Sequence, residues 1–189
     1  MIKLRNLNIN DLTVYKKWKL PHHKYHKFNG PYFEKKSVAE IEKFIKSLKK
    51  DLINKNPVLE NKKIISNAKN EIIGEVNWYW KSRETNWLEI GIVIFDDAFW
   101  NKGIGFEALS LWIEELFKTK KDIIRLGLST WSGNFGMIKL AEKLGMKKEA
   151  EYRKARIVNG AYFDSVSYGI LKEEWEHFLN NKKLHSKPK

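Results

Sequence analysis

Residues 99–109, FWNKGIGFEAL, set Lys102, Gly103 and Gly105 directly ahead of a helical pattern of apolar residues. An apolar strand-like run, IVIF at 92–95, precedes them. A strand that enters a helix through such a turn presents the helix's first N–H groups, which have no partner within the helix, to whatever approaches. The helix dipole adds positive potential there, missing Cβ atoms permit close approach, and Lys102 adds a formal charge. Asn101 tolerates the left-handed backbone that such a loop often needs. The chemistry this suits is the binding of a phosphate or pyrophosphate. A tight strand-to-helix turn with no ligand is the other reading of these residues alone. Two common phosphate motifs do not fit, since no Gly-Lys-Ser/Thr follows and no third glycine stands at dinucleotide-fold spacing.

Other reactive residue types are sparse. The chain has no cysteine, hence no disulfide framework and no thiolate chemistry. His22, His23 and His26 cluster in HHKYH, but no Asp, Glu or Cys completes a ligand set beside them, so no metal is expected. An aromatic loop with Phe28, Tyr32 and Phe33, facing an acceptor, is the preferred reading. Glu75 and Glu89 lie within strand-like alternations, where a carboxylate can reach a reacting group or pair with a lysine.

The elements that must position these residues alternate between helix and strand. Residues 2–7 read as a first strand and 11–20 as a helix with Asp11 placed to cap it. A loop follows over 21–33. Residues 37–52 form an amphipathic helix with Ser37 and Glu40 as a capping box and Ile41, Phe44, Ile45 and Leu48 as its apolar stripe. Strands are expected at 58–66, 71–80 and 87–95, the last after the turn KSRETN. In the second, Val76, Trp78 and Trp80 point opposite to Glu75, Asn77 and Tyr79; in the third, Leu88, Ile90, Ile92 and Ile94 oppose Glu89, Gly91, Val93 and Phe95. From Gly103 the period turns helical, with Leu109, Trp112, Ile113, Leu116 and Phe117 on one stripe. A buried strand at 123–130, a helix at 134–145 closed by Gly145, a hairpin at 147–171 turning at Asn159-Gly160 and a short helix at 172–179 complete one α/β domain. Residues 179–189 have nothing to bury and are expected to be a disordered basic tail.

The chain has 189 residues, 42% of them hydrophobic, which suits one domain with a full core. No apolar run reaches the roughly 20 residues of a membrane span, and the N-terminus lacks a signal-peptide core, so a soluble cytoplasmic protein is expected. The net charge of +13 is carried mostly by lysine, with only five arginines. No nucleic-acid motif accompanies it, and a solvated lysine-rich surface is the preferred reading. Such a surface attracts polyanions and acidic proteins and repels polyamines.

The order IVIFDDAFWNKGIGFEAL, strand, TWSGNFGMIKLAEKLGM resembles the GNAT superfamily of acyl-CoA-dependent N-acetyltransferases, and in particular the branch that acetylates N-terminal α-amines of ribosomal proteins. The resemblance covers about residues 1–178. It implies a single mixed, mostly antiparallel twisted sheet of about seven strands flanked by helices, with a splayed parallel strand pair at the cofactor groove. It implies acetyl-CoA as co-substrate. The family's pyrophosphate signature falls on Trp100, Asn101, Lys102, Gly103, Ile104 and Gly105, with Trp where Gln or Arg is usual, so backbone amides from 102 to Phe106 would hold the pyrophosphate. Val93, Ile94 and Phe95 would offer main-chain groups to the pantetheine arm, and Asn134 in SGN matches an Asn that contacts it, while also serving as an N-cap. Trp100 and Trp131 would flank this groove.

Acyl transfer to an amine needs a neutral amine, a polarised carbonyl and a stabilised leaving thiolate. Backbone N–H groups near Ile94 and Phe95 would polarise the carbonyl. The resemblance makes Glu89 the first candidate base and Glu75 the second, each with lysine pairing as the alternative. Met137 stands where the branch often has a Ser, and Tyr152 is the candidate acid, with a core or hairpin tyrosine as the alternative reading. Tyr162 and Asp164 resemble the branch's closing-hairpin signature and either line the acceptor pocket or brace the hairpin. The expected activity is acetylation of a primary amine, a protein N-terminus first, by a monomer or homodimer with no membrane partner. The alternatives are a small-molecule amine acetyltransferase and a non-catalytic acyl-CoA-binding module.

Overall fold

A computed structural model describes residues 2–54 and 60–185. Seven strands, β1 (Lys3–Arg5), β2 (Lys62–Ser66), β3 (Ile72–Ser82), β4 (Trp87–Ile94), β5 (Arg125–Trp131), β6 (Lys147–Val158) and β7 (Ala161–Leu171), form one mixed sheet in the order β1-β2-β3-β4-β5-β7-β6. Helices α1 (Leu12–Lys19), α2 (Val38–Ile53), α3 (Ile104–Thr119), α4 (Phe135–Lys143) and α5 (Lys172–His185) flank it. Among the described residues, β4 and β5 pair in parallel, and their register covers two residue pairs, Leu88↔Leu126 and Glu89↔Gly127. The part of the first expected strand before β2 that begins at Val58 and Leu59 lies outside the described residues. Among the described residues, no helix is long and apolar enough to cross a membrane.

The chain packs as two compact units, Met1–Trp78 with Gly91–Leu109, and Tyr79–Ile90 with Ser110–Lys189. In the first, Leu7, Leu12, Tyr15, Tyr25, Leu48, Ile64, Ile72 and Phe95 form a buried cluster, and Trp18, Phe44, Ile45 and Trp100 pack against it. Burying this much aromatic and aliphatic surface supplies the main stabilisation of the unit. In the second, the α3 stripe Trp112, Ile113, Leu116 and Phe117 is buried, as are Leu126, Leu128, Val166, Ile170 and Trp175. The helical period read from Gly103 onward therefore marks the face that α3 buries.

Turn chemistry follows residue type. Asn86, Asn101, Asn159, Gly103, Gly145 and Gly160 all take positive φ, and Asn159-Gly160 forms the two-residue turn between β6 and β7. The Ser37–Glu40 capping box of α2 is formed.

Two local expectations change. Asp11 does not cap α1 with its side chain. Asn8 does the capping one turn earlier, and Asp11 returns a bond to the Asn8 N–H while Arg5 grips its carboxylate through two N–H groups at 2.6 and 2.9 Å. The capping box thus begins a 3-10 turn over Ile9–Asp11 that runs straight into α1. At the other end, α5 continues to His185, so the backbone over 179–185 is helical where a structureless tail is expected; residues 186–189 lie outside the described residues.

Candidate active site

β4 ends at the turn that opens α3, and its main chain is only partly available. The Phe95 N–H donates to the Ile73 carbonyl at 2.8 Å, so Phe95 faces β3. The Val93 carbonyl faces the same way: a Cβ built on Gly74 would stand 2.4 Å from it. Because main-chain groups alternate sides along a strand, Ile94 points away from β3. The Phe95 N–H, expected to help polarise a carbonyl, is therefore already engaged with β3. The Ile94 carbonyl is also engaged, since the Trp100 indole N–H donates to it at 3.0 Å. Trp100 therefore fastens the turn to the strand end, with Phe28 edge-on against its ring at 5.6 Å.

The turn has the form its residue types predict. Asn101 (φ 58°) and Gly103 (φ 78°) are both left-handed. A Cβ built on Gly103 would meet nothing within 4 Å, so this position opens onto free space. α3 begins at Ile104, and the Glu107 N–H makes its first backbone bond, to Gly103. The N–H groups of Ile104 and Gly105 open the first turn, ahead of the helix's own hydrogen-bond ladder. Lys102 is exposed and lies over the Phe99 ring. An anion could be cradled here by backbone donors with a lysine beside it.

The two strand carboxylates have different surroundings. Glu75 is 4% exposed and takes three donors: the Tyr15 hydroxyl at 2.6 Å, the Lys19 ammonium at 2.7 Å and, at 3.4 Å, the Lys62 ammonium. Lys62 also donates to the Tyr15 oxygen at 3.0 Å. Burial pushes the Glu75 carboxyl up, but the charges of Lys19 and Lys62 and the bonds from Lys19 and Tyr15 outweigh it and hold the group down at about 2. A carboxylate so held is a weak base, and its role is to tie α1 and β2 to β3.

Glu89 is as deeply buried, at 3% exposed, yet hydroxyls hold it. The Tyr79 hydroxyl donates to one oxygen at 2.5 Å, and the Ser129 hydroxyl to the other at 3.3 Å. The nearest ammonium, Lys81, stands at 3.9 Å, beyond a normal hydrogen bond. Gly127 lies opposite Glu89 in the parallel ladder, where a Cβ would press on the Glu89 Cγ at 3.4 Å. Glu89 is thus buried rather than exposed, while the lysine pairing considered from the sequence is present only at the long Lys81 distance.

Asn134 caps α4 by accepting the Met137 N–H at 3.2 Å. Trp131 is buried and folds over Gly133, where any Cβ would overlap its ring. Tyr152 is 60% exposed on β6, opposite Ser165. Asp164 accepts the Lys154 N–H at 2.8 Å, where β6 shifts register, and its main chain exchanges bonds with Ser132. Of the two readings for Asp164, this is the brace; Tyr162 is exposed. His23 and His26 bond the Lys17 and Leu20 carbonyls at the end of α1. Among the described residues, no group of three or more His, Cys, Asp or Glu is placed to hold a metal ion.

Tyr79, Ser129, Lys19 and Lys62 are site residues that sequence reasoning passes over. Tyr79 was within reach: it is on the Glu75 face of β3, and counting back through the turn brings it beside Glu89.

The family model described as an acetyltransferase (GNAT) domain matches residues 2–147. The SPbeta prophage-derived uncharacterized N-acetyltransferase YokL of Bacillus subtilis is 28% identical over 107 residues, 57% of this chain; the match spans only 59% of that relative's length. Among solved structures, spermidine N-acetyltransferase from Vibrio cholerae, in complex with CoA and spermine, superposes with a TM-score of 0.74 at 18% identity, covering 93% of this chain and 98% of that one. Ribosomal-protein-S5-alanine acetyltransferase from Vibrio fischeri superposes at 0.70 with 20% identity, covering 92% and 94%. At these identities the structural likeness speaks for the fold.

The Glu75 cluster makes a prediction. Its folded-state value of about 2 lies below the ordinary 4.5, so the stability it adds is complete above pH 4.5 and is lost as the pH falls toward 2. Chemical denaturation across that range should show this loss. Glu75→Gln should flatten the acid limb and lower stability at pH 7 by about 3 kcal/mol, since two half-buried ammonium groups lose their counter-charge.

Proposed function

This chain belongs to the GNAT acetyltransferase family, and from that premise we propose that it transfers the acetyl group of acetyl-CoA to a primary amine, foremost the α-amine of a protein N-terminus. The observation that carries the reading is the left-handed turn Asn101–Gly103 opening α3, with free space where a Gly103 side chain would stand. That cradle fits a pyrophosphate: backbone N–H groups of Ile104 and Gly105, the helix dipole and the Lys102 charge all favour an anion there. The Ile94 N–H, directed away from β3, is the main-chain donor suited to the thioester oxygen or the pantetheine arm. Acetyl-CoA supplies the activated acyl group, whose C–S bond breaks as the amine nitrogen forms the new C–N bond.

Glu89 takes the proton that the amine must shed. Its oxygens accept from hydroxyls, whereas those of Glu75 are occupied by ammonium groups. An N-terminal α-amine, with a pKa near 7.7, needs mild help to lose a proton, and a lysine amine near 10.4 needs far more.

Charge supports a peptide acceptor over a polyamine. The net charge is +13, and Lys43, Lys46, Lys49 and Lys50 stand exposed together along α2. Such a surface repels a polycation at long range and draws in an acidic or phosphate-bearing partner.

Two outcomes test the reading. Gly103→Val, or Gly105→Val inside the helical turn, should weaken coenzyme A by about tenfold or more in calorimetry while the fold persists; unchanged affinity in a folded variant removes the turn from the site. With acetyl-CoA present, an alanine-led peptide should be acetylated with higher kcat/KM than spermidine or kanamycin. Faster turnover of spermidine or kanamycin would move the acceptor to the small-molecule class.

A further inference from the structure

Glu89 is 3% exposed, so a proton it accepts has no direct path to bulk water. Its two oxygens are not equivalent. The Tyr79 hydroxyl is fixed on Oε2 at 2.5 Å and keeps that oxygen an acceptor. Oε1 faces the Ser129 hydroxyl at 3.3 Å, and Ser129 Oγ lies 3.1 Å from Ser167 Oγ. Ser129 on β5 and Ser167 on β7 are direct partners in the antiparallel ladder. Ser129 is exposed and Ser167 half-buried, so the pair joins Oε1 to solvent. Gly127 leaves room for this approach, since any side chain there would crowd the Glu89 Cγ. Lys81, at 3.9 Å from Oε1, cannot serve the same purpose, because an ammonium has no lone pair with which to accept a proton.

We infer that Ser129 and Ser167 form a two-hydroxyl proton relay that returns Glu89 to its carboxylate form after each turnover. The inference rests on the reading of Glu89 as the group that takes the amine proton. An acceptor arriving as an ammonium ion releases one net proton as it becomes an amide and coenzyme A leaves as a thiol. That proton sits on Glu89 Oε1. The Oε1–H bond breaks as Ser129 Oγ gains the proton; Ser129's own proton passes to Ser167 Oγ, and Ser167's own to water as hydronium. Each oxygen makes one O–H bond and breaks one, no electrons change hands, and rotation of the two hydroxyls restores their donation toward Glu89. Tyr79 is a positioning residue, which directs the incoming proton to the relayed oxygen.

The test compares Ser129→Ala, Ser167→Ala, Ser129→Thr and Glu89→Gln in the full chain. The acceptor is whichever of an alanine-led peptide, spermidine and kanamycin is acetylated fastest. Ser129→Ala should lower kcat about tenfold, less than the factor of about 10² or more expected for loss of the base itself. Acceptor KM and coenzyme A affinity should be unchanged. Its solvent deuterium isotope effect should rise, and added imidazole buffer, a mobile proton carrier, should restore the rate. Ser167→Ala should show a smaller loss in the same direction, and Ser129→Thr, which keeps the hydroxyl, should match the parent. Full kcat in Ser129→Ala beside an inactive Glu89→Gln overturns the relay and leaves the base standing. A loss that imidazole does not rescue marks a structural role and also overturns it. An active Glu89→Gln removes the base, and the relay with it.

Discussion

A carboxylate buried in a sheet survives only if its partners are built around it, and this protein buries two on neighbouring strands. Glu75 is neutralised by ammonium groups from α1 and β2, and Glu89 is held by hydroxyls from β3 and β5. The difference divides their roles. Ammonium partners stabilise the charge and remove the basicity, as the depressed Glu75 carboxyl records. Hydroxyl partners orient the charge and can still exchange protons. Lys19, the chief partner of Glu75, also lies over the Phe95 ring just beyond β4.

The turn into α3 depends on the same strand end. Phe95 is tied to β3 through its N–H, and the Trp100 indole clasps the Ile94 carbonyl. With both bonds in place, Asn101 and Gly103 can take left-handed backbone and hand over to the helix within three residues. The Trp at the first position of the glycine motif, where a charged or amide side chain is usual in the family it resembles, thus has a positive task. It fixes the loop, and in the proposed function anion binding falls to the backbone.

Much of this was legible in the sequence, because local rules governed it. Alternation in residues 72–82 and 87–94 marks β3 and β4, the helical period marks α3, and Asn159-Gly160 and Gly145 sit where positive φ is needed. What escaped depends on distant partners. Nothing near Glu75 in the chain announces Lys19, 56 residues before it, so the ammonium-held carboxylate and the hydroxyl-held one look alike as strings. The side of β4 on which a main-chain group points is set by its pairing with β3, which takes up the Phe95 N–H. Asp11 looked like a cap because a cap and the third residue of a capping box share a residue type, and only the Arg5 fork shows which it is. Ser129 and Ser167 became partners through β5–β7 register, which no short stretch encodes.

The central claim is that Glu89, and not Glu75, accepts the amine proton. The most direct measurement is kcat for an alanine-led peptide with Glu89→Gln at neutral pH, alongside the variant's coenzyme A affinity by calorimetry. The account predicts a fall in kcat of about 10² or more with that affinity retained. A folded Glu89→Gln protein with near-parental kcat would contradict it.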